Sequence, residues 1–234
     1  MKASFLLPTK NTERPNEEFV HKVIESINAN CSYEKEILVF SPEPVEGENV
    51  TWFKEEEISG GSIYPLNFLC TKSKGEYVFV ANDEYMFSNM SPDKAIRILD
   101  SSYYEDKKFK ILGMGSPIPS FPNAHYTHGY TSIPTFGFDK HTYRICGYPV
   151  LHRDTIDKQL GGYIYHPKFI HHYGDNYMPL YAGFMGEPIN DCPSSDLRLV
   201  GTKNITYDDK TAHDAEIYKQ LFHDLVEERN LNYV

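Results

Sequence analysis

Five consecutive apolar residues, Tyr77-Val78-Phe79-Val80-Ala81, run without a polar break into Asn82-Asp83-Glu84. A strand that is apolar at every position has no solvent face. It belongs inside a sheet covered on both sides, and such sheets are parallel and built from strand–helix–strand units. In open sheets of that kind, ligands bind outside the carboxyl ends of the strands. The sequence therefore delivers an amide and two carboxylates to the place where a ligand sits. Oxygen donors suit hard cations such as Mg²⁺ or Mn²⁺, which keep coordination positions for phosphate oxygens. A solvated acidic turn is the simpler alternative, and the flanking sequence has to decide between the two.

The flanks repeat the alternation. Ala3 to Leu7 is a short apolar strand, and Phe19, Val20, Val23, Ile24 and Ile27 recur at helical spacing within Asn16 to Ile27. Glu36 to Phe40 and Val50 to Phe53 read as two further strands. Ile63 to Lys74 reads as a helix that Gly75 stops. Right-handed crossovers of this length predict an α/β fold, with a mixed, mostly parallel central sheet flanked by helices. Beyond it, Ser91-Pro92-Asp93 opens a helix with serine as cap, and Lys108 to Met114 is a strand. The aperiodic stretch 115–137 is an acceptor-binding loop or a surface excursion. A strand near Thr142 to Val150 precedes a helical turn stopped by Gly161-Gly162. Ile217, Tyr218, Leu221, Phe222, Leu225 and Val226 form one face of a closing helix over 212–229. We expect a single domain over 1–234, with a nucleotide-binding half at 1–87, an acceptor-binding half at 88–190 and a C-terminal segment at 191–234.

Composition narrows the partners. A formal net charge of −10 over 234 residues disfavours nucleic acid and anionic membranes, which demand clustered Lys and Arg. An anionic ligand would be held locally, by a metal or by backbone amides. The four cysteines, Cys31, Cys70, Cys146 and Cys192, include no Cys-x-x-Cys pair, so neither a zinc site nor a disulfide framework is indicated. No apolar run matches a signal peptide or a membrane span. The expectation is a soluble, cytoplasmic protein.

Taken in order, these pieces resemble the family-two glycosyltransferases, which have the GT-A (Rossmann-like) fold. Phe5-Leu6-Leu7-Pro8-Thr9-Lys10-Asn11 resembles that family's first strand and Pro-Thr-x-Asn turn. Lys74 to Glu84 is similar to the strand that leads into its Asp-x-Asp metal motif. Gly161-Gly162-Tyr163, followed by His172-Tyr173-Gly174-Asp175 and Gly186, resembles its glycine pair and Glu-Asp motif. The resemblance implies a nucleotide diphosphate sugar as donor and a glycan or other hydroxyl acceptor, with Mn²⁺ or Mg²⁺ as cofactor. It implies nucleotide-sugar contacts from Pro8, Thr9, Asn11, Ser41, Asn82 and Asp83. The metal falls to Glu84 and Asn82, with His213 supplied by the C-terminal segment. Asp175 is the catalytic base and Gly162 and Tyr163 are acceptor contacts. The chain departs from the pattern at five positions: Asn82 and Glu84 replace both motif aspartates, Ser41 stands where an acidic residue follows the second strand, Gly174 replaces the glutamate before the base, and Tyr181 replaces an arginine after it.

Two other functions compete. A sugar nucleotidyltransferase would use a similar sheet, but no glycine-rich basic phosphate loop follows the first strand, where Lys10 and Arg14 are the only candidates. A non-catalytic glycan- or nucleotide-binding module derived from a transferase would use the aromatic loop without metal. From residue type alone, Asp175 could equally be a helix cap, and His213 part of a solvated helix start capped by Asp208 or Thr211.

Overall fold

The computed structural model describes residues 2–9, 17–55, 61–83, 85–114, 148–171, 173–185, 190–191, 196–199 and 209–228. Their backbone forms β1 (Ala3–Pro8), α1 (Glu17–Asn30), β2 (Lys35–Ser41), β3 (Val50–Lys54), α2 (Ile63–Lys72), β4 (Tyr77–Val80), β5 (Tyr85–Ser88), α3 (Ser91–Leu99) and α4 (Ser102–Glu105). The order continues with β6 (Ile111–Gly113), β7 (Pro149–His152), α5 (Arg153–Lys158), α6 (Gly174–Phe184), β8 (Asn190–Asp191), β9 (Asp196–Leu199) and α7 (Asp209–Glu228).

The central sheet has the strand order β3-β2-β1-β4-β7-β6-β8, and β5 pairs with β9 in a separate ribbon. Strands β3, β2, β1 and β4 are mutually parallel, with Phe5 facing both Ile37 and Phe79 in register. Strand β7 runs antiparallel to β4 and to β6, so the sheet is mixed and mostly parallel, as the alternation predicted. Along the inner strands β1, β2 and β4 side chains alternate between two covered faces, while edge strand β3 is half-exposed. Leu6, Leu38, Val78, Val80 and Leu151 pack toward α2, α5, α6 and α7. Phe5, Leu7, Ile37, Phe79 and Val150 pack toward α1 and α3. Phe5 and Phe79 stack across β1 and β4 with ring centroids 4.6 Å apart. The closing helix buries Tyr218, Leu221, Phe222 and Leu225 of its expected face.

Two local expectations need correction. Helix α2 ends at Lys72, and its cap, Ser73, is extended. Gly75 is therefore not the stop, and it is absent from the positive-φ glycines, which are Gly161 and Gly162. Its role is room, because a Cβ there would lie 2.5 Å from the backbone nitrogen of Ser4 and 2.7 Å from the carbonyl carbon of Ala3. Gly75→Ala should destabilise the fold by about 1–3 kcal/mol. In a chain of this size that is about 2–4 °C of melting temperature per kcal/mol. An unchanged Tm in calorimetry would refute the close approach. The second correction is Ser91, which is the first residue of α3 and not its cap. Met90, with φ 54°, holds the cap position, and the buried Ser91 Oγ has no hydrogen-bond partner among the described residues.

Candidate functional site

Because β1 to β4 are parallel, their carboxyl ends share one edge of the sheet, and the residues that follow them converge there. Thr9 donates its N–H to the Phe40 carbonyl at 3.0 Å, which ties the end of β1 to the end of β2. Its hydroxyl donates to Asp83 Oδ2 at 2.8 Å, and both side chains are buried. Asn82 donates from Nδ2 to the Tyr148 hydroxyl at 3.0 Å, and the Tyr148 ring leans on Tyr85 with centroids 4.7 Å apart. Ser41 is fully buried. Its hydroxyl donates to the Glu43 carbonyl at 2.6 Å and accepts the Trp52 indole N–H at 3.0 Å. Glu55, also buried, donates its N–H to the Ser41 carbonyl at 3.0 Å.

The same edge receives the start of α6. Helix α2 connects the end of β3 to the beginning of β4, so its first residue, Ile63, lies at the carboxyl edge. Ile63 donates its N–H to the Ile170 carbonyl at 3.2 Å, and Ser62 donates its N–H to His171 Nδ1 at 3.1 Å. From the opposite side Asp214 of α7, 0% exposed, accepts the N–H groups of Ile170 at 2.8 Å and His171 at 2.7 Å. Two helices thus grip the turn that leads through Tyr173, in left-handed conformation at φ 63°, into Gly174 and Asp175. Asp175 occupies the first turn of α6, where the helix dipole favours a negative charge. Gly174 is pressed against Tyr165, so closely that a Cβ would sit 2.9 Å from the tyrosine Cβ and Cγ. A glutamate there has no room.

The structure brings Thr9, Ser41, Asn82 and Asp83 together, with Pro8 ending β1 beside them opposite Phe40. It carries Asp175 to the same edge. His213 is exposed on the first part of α7, next to the buried Asp214. Gly162 follows α5, donating its N–H to the Ile156 carbonyl at 2.8 Å. Tyr163, 40% exposed, forms part of a cavity wall against α6. Asn11, Glu84 and the loop at 115–137 lie outside the described residues. Among the described residues, no three His, Cys, Asp or Glu side chains are grouped so as to hold a metal ion. Among them, too, no helix is long and apolar enough to cross a membrane.

Three site-building residues were not singled out from the sequence. Tyr148 is reached only through the β4–β7 pairing. Asp214 sits in a run of charged residues. Buried Asn67, inside α2, accepts the N–H of Ile164 at 3.0 Å and donates to the Tyr165 carbonyl at 2.8 Å, which fixes the tyrosine behind Gly174. A polar residue on the apolar face of an amphipathic helix was its one visible trace.

No protein-family model matches the chain, and no curated protein sequence matches it. Solved structures do. Over 97% of this chain, S. aureus TarS 1–349 superposes with a TM-score of 0.63 at 15% identity. The same protein in complex with UDP-GlcNAc gives 0.62 at 14% identity. Mannosyltransferase PcManGT from Pyrobaculum calidifontis, in complex with GDP-Man and Mn²⁺, gives 0.58 at 15% identity over 87% of this chain and 58% of its own. Glucosyl-3-phosphoglycerate synthase from Mycobacterium tuberculosis, holding Mn²⁺, UDP and glucosyl-3-phosphoglycerate, gives 0.55 at 12% identity over 95% and 79%. The chain spans 65% of the TarS 1–349 chain. These likenesses define the fold: the chain has the GT-A fold of glycosyltransferases.

Proposed function

We propose that this protein is a glycosyltransferase that moves a sugar from a nucleotide diphosphate sugar to a hydroxyl of a glycan acceptor, with inversion at the anomeric carbon. The observation that supports it most is the convergence of the Thr9–Asp83 and Asn82–Tyr148 hydrogen bonds with the first turn of α6 at one sheet edge. Proteins of this fold are described with UDP, UDP-GlcNAc and GDP-Man at 12–15% identity.

In this reading Pro8, Thr9 and Asn11 contact the nucleotide, and the Thr9 hydroxyl holds Asp83 for it. Ser41 acts on the base side by holding the Glu43 turn and Trp52. Asn82 contacts the ribose, oriented by Tyr148. Gly162 and Tyr163 contact the acceptor. Asp175 accepts the proton of the attacking hydroxyl as that oxygen bonds to the anomeric carbon and the carbon–oxygen bond to the diphosphate breaks. Asn82 and Asp83 bring an amide and a carboxylate to this edge, oxygen donors of the kind that suit Mn²⁺ or Mg²⁺; in this reading Asn82, Glu84 and His213 would hold the ion. When bound, the ion offsets negative charge on the departing diphosphate. A soluble, cytoplasmic enzyme organised as one domain is part of the same proposal.

Calorimetric titration of the nucleotide with and without Mn²⁺ tests the metal assignment. Glu84→Ala should weaken nucleotide binding about tenfold or more in the presence of Mn²⁺, and leave metal-free binding unchanged. Equal affinity of the variant and the unaltered protein in Mn²⁺ would remove Glu84 from the metal site.

A further inference from the structure

Against α6, on the side where the chain leaves α5, lies a cavity of about 210 Å³ whose walls include Gln159, Tyr163, His166, Tyr177 and Tyr181. Its walls include none of Thr9, Asn82 and Asp83. Tyr181 meets Phe109 with ring centroids 5.8 Å apart, and Phe109 precedes β6, a strand parallel in direction to β4, at the edge where the parallel strands begin.

The aromatic walls are packed against one another. Tyr177 and Tyr181 stack at 6.1 Å with 19° between their planes. Tyr177 is wedged by His166 at 5.7 Å and Phe169 at 5.8 Å. Yet the polar tips of these walls are not consumed by the fold. Among the described residues, the hydroxyls of Tyr163, Tyr177 and Tyr181 and the Gln159 side-chain amide make no protein hydrogen bond, so a ligand or water completes them. Burial, and secondarily Lys168, push the His166 imidazole below its ordinary value and keep it neutral at neutral pH. Its Nδ1 accepts the Lys168 N–H at 3.3 Å, which leaves Nε2–H as a donor. Burial also pushes the Tyr177 hydroxyl up, so it stays a donor as well.

A pocket with aromatic faces, several neutral donors and acceptors and no charged wall suits a neutral, hydroxyl-rich ring with an apolar face. Its volume is that of about seven water molecules, which accommodates one ring. We propose that this cavity binds one neutral pyranose unit, and that the unit belongs to the acceptor glycan at a distance from its reacting hydroxyl. Only the word acceptor rests on the transferase reading. Pyranose binding as such stands apart from turnover.

The test is saturation-transfer NMR on the full chain with the methyl β-glycosides of glucose, galactose and N-acetylglucosamine, with the melting-temperature response to nucleotide plus Mn²⁺ measured in parallel. At least one glycoside should receive saturation from the unaltered protein. Tyr163→Ala, at a half-exposed rim position, should weaken that binding about tenfold, and Gln159→Ala should weaken it by a similar factor. Both variants should keep the nucleotide response. No transfer to any of the three glycosides, or equal transfer with both variants, overturns the proposal. Tyr163-dependent transfer in a protein that ignores every nucleotide would keep the sugar cavity and remove the transferase reading.

Discussion

Asp175→Asn should lower turnover by about 10²–10⁴-fold, the contribution of a positioned general base. Nucleotide binding should survive. The amide has nearly the shape of the carboxylate and keeps an acceptor oxygen, but it cannot take the proton from the attacking hydroxyl. The side chain sits in the first turn of α6 and is not a partner in the Thr9–Asp83 and Asn82–Tyr148 hydrogen bonds, which the substitution leaves in place. Single-turnover transfer from donor to acceptor, set beside calorimetric titration of the nucleotide, separates the two effects. Full turnover in Asp175→Asn would remove the residue from the chemistry. A parallel loss of nucleotide affinity would show that the substitution had disturbed the edge as a whole.

The largest effect on stability is expected at Asp214. The carboxylate, 0% exposed, accepts two backbone N–H groups at 2.8 and 2.7 Å. Hydrogen bonds to a charged group contribute about 1.5–3 kcal/mol each, and losing both acceptors leaves two donors unmatched beneath α7. Because Ile170 and His171 are partly open to water, Asp214→Ala should cost on the order of 2–4 kcal/mol. At about 2–4 °C per kcal/mol in a chain of this size, the loss is easily read in a melting curve. Asp214→Asn keeps one acceptor oxygen and should fall between the two. The same turn feeds Tyr173, Gly174 and Asp175, so any folded Asp214→Ala protein should also lose turnover while it keeps nucleotide affinity. A melting temperature equal to that of the unaltered protein would contradict the grip of α7 on this turn.

The sheet was legible because strands apolar at every position leave little choice. Tyr77 to Val80, Ile37 to Phe40 and Ala3 to Leu7 are covered on both faces, and helical spacing between them dictates crossovers. The acidic end of β4 was legible for the same reason, since topology fixes where a buried strand delivers its next residues. What the sequence hid were contacts between distant segments. Helix α6 carries Pro179 inside and is capped by a left-handed tyrosine, Tyr173, and not by Asp175, so its period and its start were hidden. The two-stranded ribbon of β5 and β9 joins residues more than a hundred positions apart.

The departure at Gly174 becomes intelligible only in three dimensions. Asn67 fixes Tyr165, and Tyr165 fills the space a glutamate would need. Ser41 likewise reads in sequence as a missing acid, yet in the fold it is a buried hydroxyl that joins Trp52 to the Glu43 carbonyl. Gly75 teaches the opposite lesson. A glycine after a helical run looked like a stop signal, whereas the backbone of β1 passing against it is the actual constraint.

The most direct test of donor binding at the carboxyl edge is thermal unfolding of the full chain against UDP, GDP, CDP and dTDP and their sugar conjugates, each with and without Mn²⁺ or Mg²⁺. A ligand that binds only the folded state adds about 2.7 kcal/mol at a hundred times its Kd. A rise in melting temperature is expected, confined to one nucleotide and its sugar conjugate, dependent on the metal and reduced by Glu84→Ala. A folded protein whose melting temperature responds to none of these nucleotides, with or without metal, would contradict it.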